Sequence, residues 1–289
     1  MFIRLSVLLL VSFTLLNAEM TKTIAFYTKN IAKVSDKDVQ IAIHKILEVG
    51  SRRSGIMLQE AFPESVDAIV NGFVDGRYAL ITLNTYDVLQ NYRQIQPYIG
   101  QMWTIAKKKK SPKMRYLLLV KRSRSKNFLD PKAKVAMLNY DYMQHLYLDS
   151  YLLKQYHKST QNFFHKVEYF SSTSQVILKL FFSKVEACVV SEHAYNIAVE
   201  LNPQLEKSLK VLDMSDKIFP SIGLTIARKG DQKIVELYDD FTYQKKDIKS
   251  LSNVLMLYKA EAIVPFTRDD MDKVREFYLS YLALKRKYE

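Results

Sequence analysis

A run of hydroxyl residues that includes Ser172, Thr173 and Ser174 separates a short apolar run at 167–170 from a compact apolar run at 176–182. The pattern predicts a strand, a polar turn and a helix, with the hydroxyls where the helix begins. The first N–H groups of a helix lack internal partners and carry partial positive charge. Hydroxyls placed there can cap those groups or, with them, hold an anion or polar molecule. Capping alone would account for their types, so both readings stand at this stage.

A similar unit lies in the first half of the chain. Residues 64–74 predict a helix, Asp75-Gly76-Arg77 a turn, and residues 78–83 a strand that ends at Asn84, Thr85 and Tyr86. Setting Gly76-Arg77 beside Ser183-Lys184 brings two apolar strands into register, each leading into a polar and aromatic loop, at 84–86 and at 191–195. Ligands of open α/β sheets collect at the carboxyl ends of strands, so paired loops of this kind predict a shared cleft. The candidate ligand contacts are Asn84, Thr85 and Tyr86 from one half and Ser172, Thr173 and Ser174 from the other. Tyr27 and Tyr140 would add walls and hydroxyls, although with 19 tyrosines in the chain most must be structural.

Other chemistries find little support. His44, His145, His157, His165 and His193 lack metal-ligand spacing, and there is no nucleophile elbow, phosphate-cradling glycine loop or cysteine pair among 7 glycines and 1 cysteine. The expectation is a binder rather than an enzyme, with no metal and no cofactor. Cys188, inside an apolar run, reads as a small core residue.

Residues 1–18 carry one early cation, Arg4, then an apolar run and a small residue at Ala18, the pattern of a secretory signal too short at its core for a comfortable membrane span. An uncleaved anchor is the alternative. The formal charge of +13 favours anionic partners. The basic runs at 107–113 and 121–126 would be the footprint of a nucleic-acid binder, but they flank an apolar strand and contain Ser and Pro, so they read as solvated loops. No nucleic-acid partner is expected.

The elements that must position the candidate residues alternate as strand, helix, strand, helix, strand over residues 23–83, the rhythm of a mostly parallel sheet covered by helices. The first helix would open at Ser35 and close at Gly50. Residues 115–120 predict a strand that crosses into a second half, and 219–227 a return crossing. Residues 135–138 predict another strand, after which Asn139-Tyr140-Asp141-Tyr142 opens a long helix to Tyr156. Residues 233–289 read as helical with one irregular stretch near 262–266. The fold class is therefore α/β with two lobes, divided as signal 1–18, first lobe 19–114, second lobe 115–218 and return to the first lobe 219–289.

With these units in hand, the chain resembles the phosphate, phosphite and phosphonate-binding proteins of the class II periplasmic binding fold. The resemblance is carried by residues 167–190, by the Ala194 to Leu212 stretch with its Asn202-Pro203 connection, and by the crossings at 115–122 and 219–229. It implies two lobes of mostly parallel sheet joined by two crossing strands, and a small anionic or polar ligand held between them. It also implies a periplasmic location, a monomer, and delivery to an inner-membrane ABC permease. The same fold serving as a sensor or adaptor for a membrane receptor or kinase is the alternative. Family members wrap the phosphonate group with a Ser-Thr-Ser-Gly type segment after the second-lobe strand. The matching place here holds Asn139-Tyr140-Asp141-Tyr142-Met143, without glycine and with an added carboxylate that would repel a dianion unless it turns away.

Overall fold

The computed structural model describes residues 21–27, 35–106, 111–123, 129–243 and 249–289. The expected signal at 1–18, the loop at 28–30 and the lysines at 107–110 lie outside these residues.

The first half begins with β1 (Thr21–Phe26), α1 (Asp36–Ser54), β2 (Met57–Ala61), α2 (Val66–Val74) and β3 (Leu80–Leu83). Helix α1 forms because Val39, Ala42, Ile43, Ile46 and Leu47 fall on one face, which is buried. It runs past Gly50 and ends where Gly55 turns left-handed at φ 68°, so the expected stop comes five residues too early. Short α3 (Thr85–Gln90) and α4 (Tyr92–Ile95) precede β4 (Ile99–Ala106). The chain then crosses through β5 (Lys113–Met114).

The second half contains β6 (Tyr116–Lys121), β7 (Lys134–Leu138), α5 (Tyr142–Tyr156), α6 (Thr160–Phe163), β8 (Lys166–Phe170) and α7 (Thr173–Phe181). It continues with β9 (Ala187–Ser191), α8 (Glu192–Leu201), α9 (Gln204–Ser208) and β10 (Leu209–Met214). The return passes through β11 (Phe219–Pro220), paired antiparallel with β5, into β12 (Leu224–Arg228). Then follow α10 (Gln232–Tyr243), α11 (Lys249–Leu257), β13 (Ala262–Pro265) and α12 (Arg268–Tyr288).

Two sheets result, ordered β13-β4-β12-β3-β1-β2 and β10-β6-β9-β7-β8. Both are mixed rather than mostly parallel. Strand β1 is parallel to β2 and β3, and β7 to β8 and β9, as helical crossovers require. Strands β6 and β12 enter from the other half without such a crossover, and both run antiparallel to their neighbours. The stretch expected to be irregular near 262–266 is β13, an edge strand antiparallel to β4.

Outer cores fill the space under α1 and α10 on one sheet and under α7 on the other. A third cluster is shared by both sheets: Ile81 and Leu83 from one, Leu118, Val135 and Val189 from the other, with Met271, Val274 and Tyr278 of α12 between them. Helix α12 starts with a capping box, in which Thr267 and Asp270 satisfy each other's backbone N–H groups. It packs along α5, so the terminal helix reaches the second half as well as the first.

Candidate functional site

The carboxyl ends of β3, β7 and β9 open on one cavity of about 120 Å³ between the two sheets. Each strand hands over to a helix there, and each helix start is capped by a side chain. Asn84 caps α3: its carbonyl oxygen accepts from the Asp87 N–H at 2.8 Å and its amide donates to the Asp87 carboxylate at 2.6 Å. Burial pushes the Asp87 carboxyl above its ordinary range, against the hydrogen bond from Asn84.

On the opposite wall Asp141 caps α5. One carboxylate oxygen accepts from the Gln144 N–H at 3.1 Å and from the Tyr116 hydroxyl at 2.8 Å. Burial, then the Asp141 charge and that hydrogen bond, hold the Tyr116 hydroxyl protonated well above the usual tyrosine range. Gln144, fully buried, fixes the geometry: it accepts from the Leu138 N–H at 2.8 Å and donates to the Val189 carbonyl at 2.8 Å, joining the ends of β7 and β9 to α5. Ser172 caps α7 through the Gln175 N–H, and Ser191 caps α8 through the Ala194 N–H at 3.3 Å.

The fourth side is the return segment at 221–223. Thr104, buried in β4, donates its hydroxyl to the Gly223 carbonyl at 2.9 Å. Gly223 has φ 50°, and a Cβ there would sit 2.8 Å from the Leu83 carbonyl oxygen, so only glycine lets the segment lie this close to β3. Across the mouth the rings of Tyr86 and Tyr142 stack, one from each half.

Of the residues singled out in the sequence, Asn84, Thr85, Tyr86, Tyr140 and Thr173 line this cavity. Ser172, Ser174 and Tyr27 are not among its lining residues. Successive helix positions turn by about 100°, so Ser172 is spent on its cap, Thr173 faces the cavity and Ser174 is exposed. Tyr27 packs partly buried against the shared core, its hydroxyl raised by burial and by the charges of Asp87 and Tyr142. Residues 192–195 are the first turn of α8 rather than a loop. Ser191, within the stretch expected at the cleft, and Tyr142, within the segment matched to the family's ligand loop, also line it, whereas Tyr116, Ser221 and Gly223 were not anticipated as part of the wall. A hydroxyl three residues before Ala194 signals the α8 cap, but the remainder arrive through long-range packing. Arg122, in the second basic run, donates to the Glu206 and Leu209 carbonyls at 3.0 and 3.2 Å and so is structural. No group of His, Cys, Asp and Glu among the described residues could hold a metal ion.

Two mixed sheets, a two-strand crossing and a cavity at their carboxyl ends define the fold of periplasmic binding proteins. It is shared with a binding protein component of an ABC phosphonate transporter from Pseudomonas aeruginosa (12% identity, 94% of this chain and 89% of that one, TM-score 0.58). It is shared also with a Xanthomonas citri protein bound to ATP (10% identity, 93% and 99%, TM-score 0.62). A third is PhnD1 from Prochlorococcus marinus in complex with methylphosphonate (13% identity, 90% and 97%, TM-score 0.54). The chain belongs to the family of periplasmic substrate-binding proteins of phosphonate ABC transporters, whose family model matches residues 31–270. No curated protein sequence matches it.

Proposed function

We propose that this protein captures a small oxyanion, of the phosphonate, phosphate or sulfonate type, in the cavity between its sheets and presents it to an inner-membrane ABC permease. The observation that carries this is the convergence of three helix starts, those of α5, α7 and α8, on one cavity through Asp141, Thr173 and Ser191. Binding without turnover fits the lining, which offers hydroxyls and backbone donors. In this reading residues 1–18 are an export signal, residues 19–114 and 219–289 build the first lobe and 115–218 the second, with α12 lying across both. The mature protein is a periplasmic monomer. Among the described residues no helix is long and apolar enough to cross a membrane.

The test is a thermal-shift screen of residues 19–289 with methylphosphonate, phosphite, phosphate, methanesulfonate and acetate, followed by calorimetry. A ligand selective for the folded state raises Tm. Thr173→Ala should weaken the best ligand by about tenfold, the worth of roughly one hydrogen bond to a charged group. A full set of flat melting curves would refute the proposal.

A further inference from the structure

We propose that the outer face of the second sheet, where α7 and α8 end side by side, docks on an anionic lipid bilayer. Both helices start at the cavity wall and run away from it, so their last turns stand at the far end of the second half. Docking there does not depend on what the cavity holds.

Helices α7 and α8 pack against each other over one core. Val176, Ile177 and Leu180 of α7 are buried in it, whereas none of the ten residues of α8 is buried. What the two helices leave outside is apolar. Leu178 and Phe182 are 41% and 63% exposed, and Ile197 and Leu201 are 41% and 82% exposed. Residues four apart share one face of a helix, so each helix turns an apolar pair to solvent beside that of its neighbour. A single exposed Leu or Phe is ordinary, but four at the ends of two adjoining helices form a patch.

The charge around the patch identifies its occupant. Lys121, the last residue of β6, donates its amine to the Phe181 carbonyl and stands 5.1 Å from the centre of the Phe181 ring, which meets Phe182 edge-on at 5.2 Å. Lys184 lies two residues beyond Phe182 and is exposed, as is Lys207 of α9, which packs on α8. Residues 121–122, 176–186 and 197–210 together hold six cations and three carboxylates. The sequence continues from Arg122 through Arg124 and Lys126 with no acid before Asp130. Lysine stems lie along apolar surface and carry their charge to its rim. An apolar centre with a cationic rim matches the acyl and phosphate layers of an anionic bilayer. A second copy of this chain would set the same positive rim against itself, which like charges oppose.

The test is co-sedimentation of residues 19–289, which leave out the apolar run at 5–16, with vesicles of phosphatidylglycerol and phosphatidylcholine in equal parts and with vesicles of phosphatidylcholine alone. In about 50 mM salt the protein should follow the anionic vesicles, and its partition constant should fall at least about tenfold in about 500 mM salt, where surface charges are screened. Phe182→Ser with Leu201→Ser should lower the constant by about tenfold, and Lys184→Gln with Lys207→Gln by about thirtyfold in low salt. Met256→Ser removes a comparably exposed side chain from the first half and should leave it within about twofold. All five positions are exposed, so the variants should keep the wild-type circular dichroism spectrum and Tm. No sedimentation with anionic vesicles, equal binding to phosphatidylcholine alone, or binding unchanged in Phe182→Ser with Leu201→Ser overturns the proposal. Self-association without lipid that the same double variant abolishes also overturns it, and assigns the patch to a second copy. Each of these outcomes leaves the oxyanion reading of the cavity standing.

Discussion

The rings of Tyr86 and Tyr142 lie 5.3 Å apart at 23°, a stacked pair whose members come from different sheets. Tyr86 also meets Tyr278 of α12 edge-on at 6.5 Å. Stacked pairs contribute about 0.5–1.5 kcal/mol beyond their buried area. A double-mutant cycle on Tyr86→Ala and Tyr142→Ala, read by urea unfolding, should return a coupling of about 1 kcal/mol. Coupling near zero would mean that the halves do not hold each other through these rings.

Gly223→Ala should cost about 1–3 kcal/mol, because the new methyl meets the Leu83 carbonyl oxygen and the backbone is left-handed. Gly55 is left-handed too, at φ 68°, but nothing lies near its missing Cβ, so Gly55→Ala should cost only about 1 kcal/mol. Equal losses in chemical denaturation would show that the close approach at Gly223 is relieved by movement.

Gln144→Leu strands the Leu138 N–H and the Val189 carbonyl, both buried. Each orphaned group costs about 1–3 kcal/mol, so a loss of about 2–6 kcal/mol is expected from urea midpoints at constant slope.

Asp270 and Asp87 should give stability profiles of opposite slope. Burial alone would raise Asp270, but hydrogen bonds from Lys113 and Thr267 hold it below its ordinary value. Its contribution is present above the unfolded carboxylate pKa of about 3.9 and is lost as pH falls through the lower folded value. Asp87 is raised by burial, so its penalty at neutral pH is relieved as pH falls through the folded value. Asp270→Asn should therefore remove stability at pH 6 and lessen the acid loss, whereas Asp87→Asn should lessen the gain on mild acidification. Unfolding midpoints between pH 3 and 7 measure both.

How much of this was legible in the sequence depended on distance along the chain. The hydroxyl run before an apolar helix and the matching unit ending at Asn84 are local patterns: Thr173 of the one and Asn84 of the other line the cavity, while Ser172 is a cap. Strand direction was not local: β6 and β12 look like any apolar strand, and only their arrival from the other half makes them antiparallel. Strand β13 has four residues between helices and gains its identity from the edge of β4. The pairing of Tyr116 with Asp141 spans 25 residues and leaves no periodic trace. The carboxylate at Asp141 was visible as a departure, but its orientation was set by α5, whose start it caps.

The terminal helix gives the molecule a third tether. Its Tyr278 receives a hydrogen bond from Gln90 in the first half. Further along, Tyr281 and Glu289 border the same cavity as Asp149 and Ser159, and Tyr288 stacks on His157 at 4.3 Å, all in the second half. A hinge with only its two-strand ribbon would swing like jaws, but a rod gripped at both ends stiffens that swing. Parting the halves would require α12 either to let go of α5 or to ride with it.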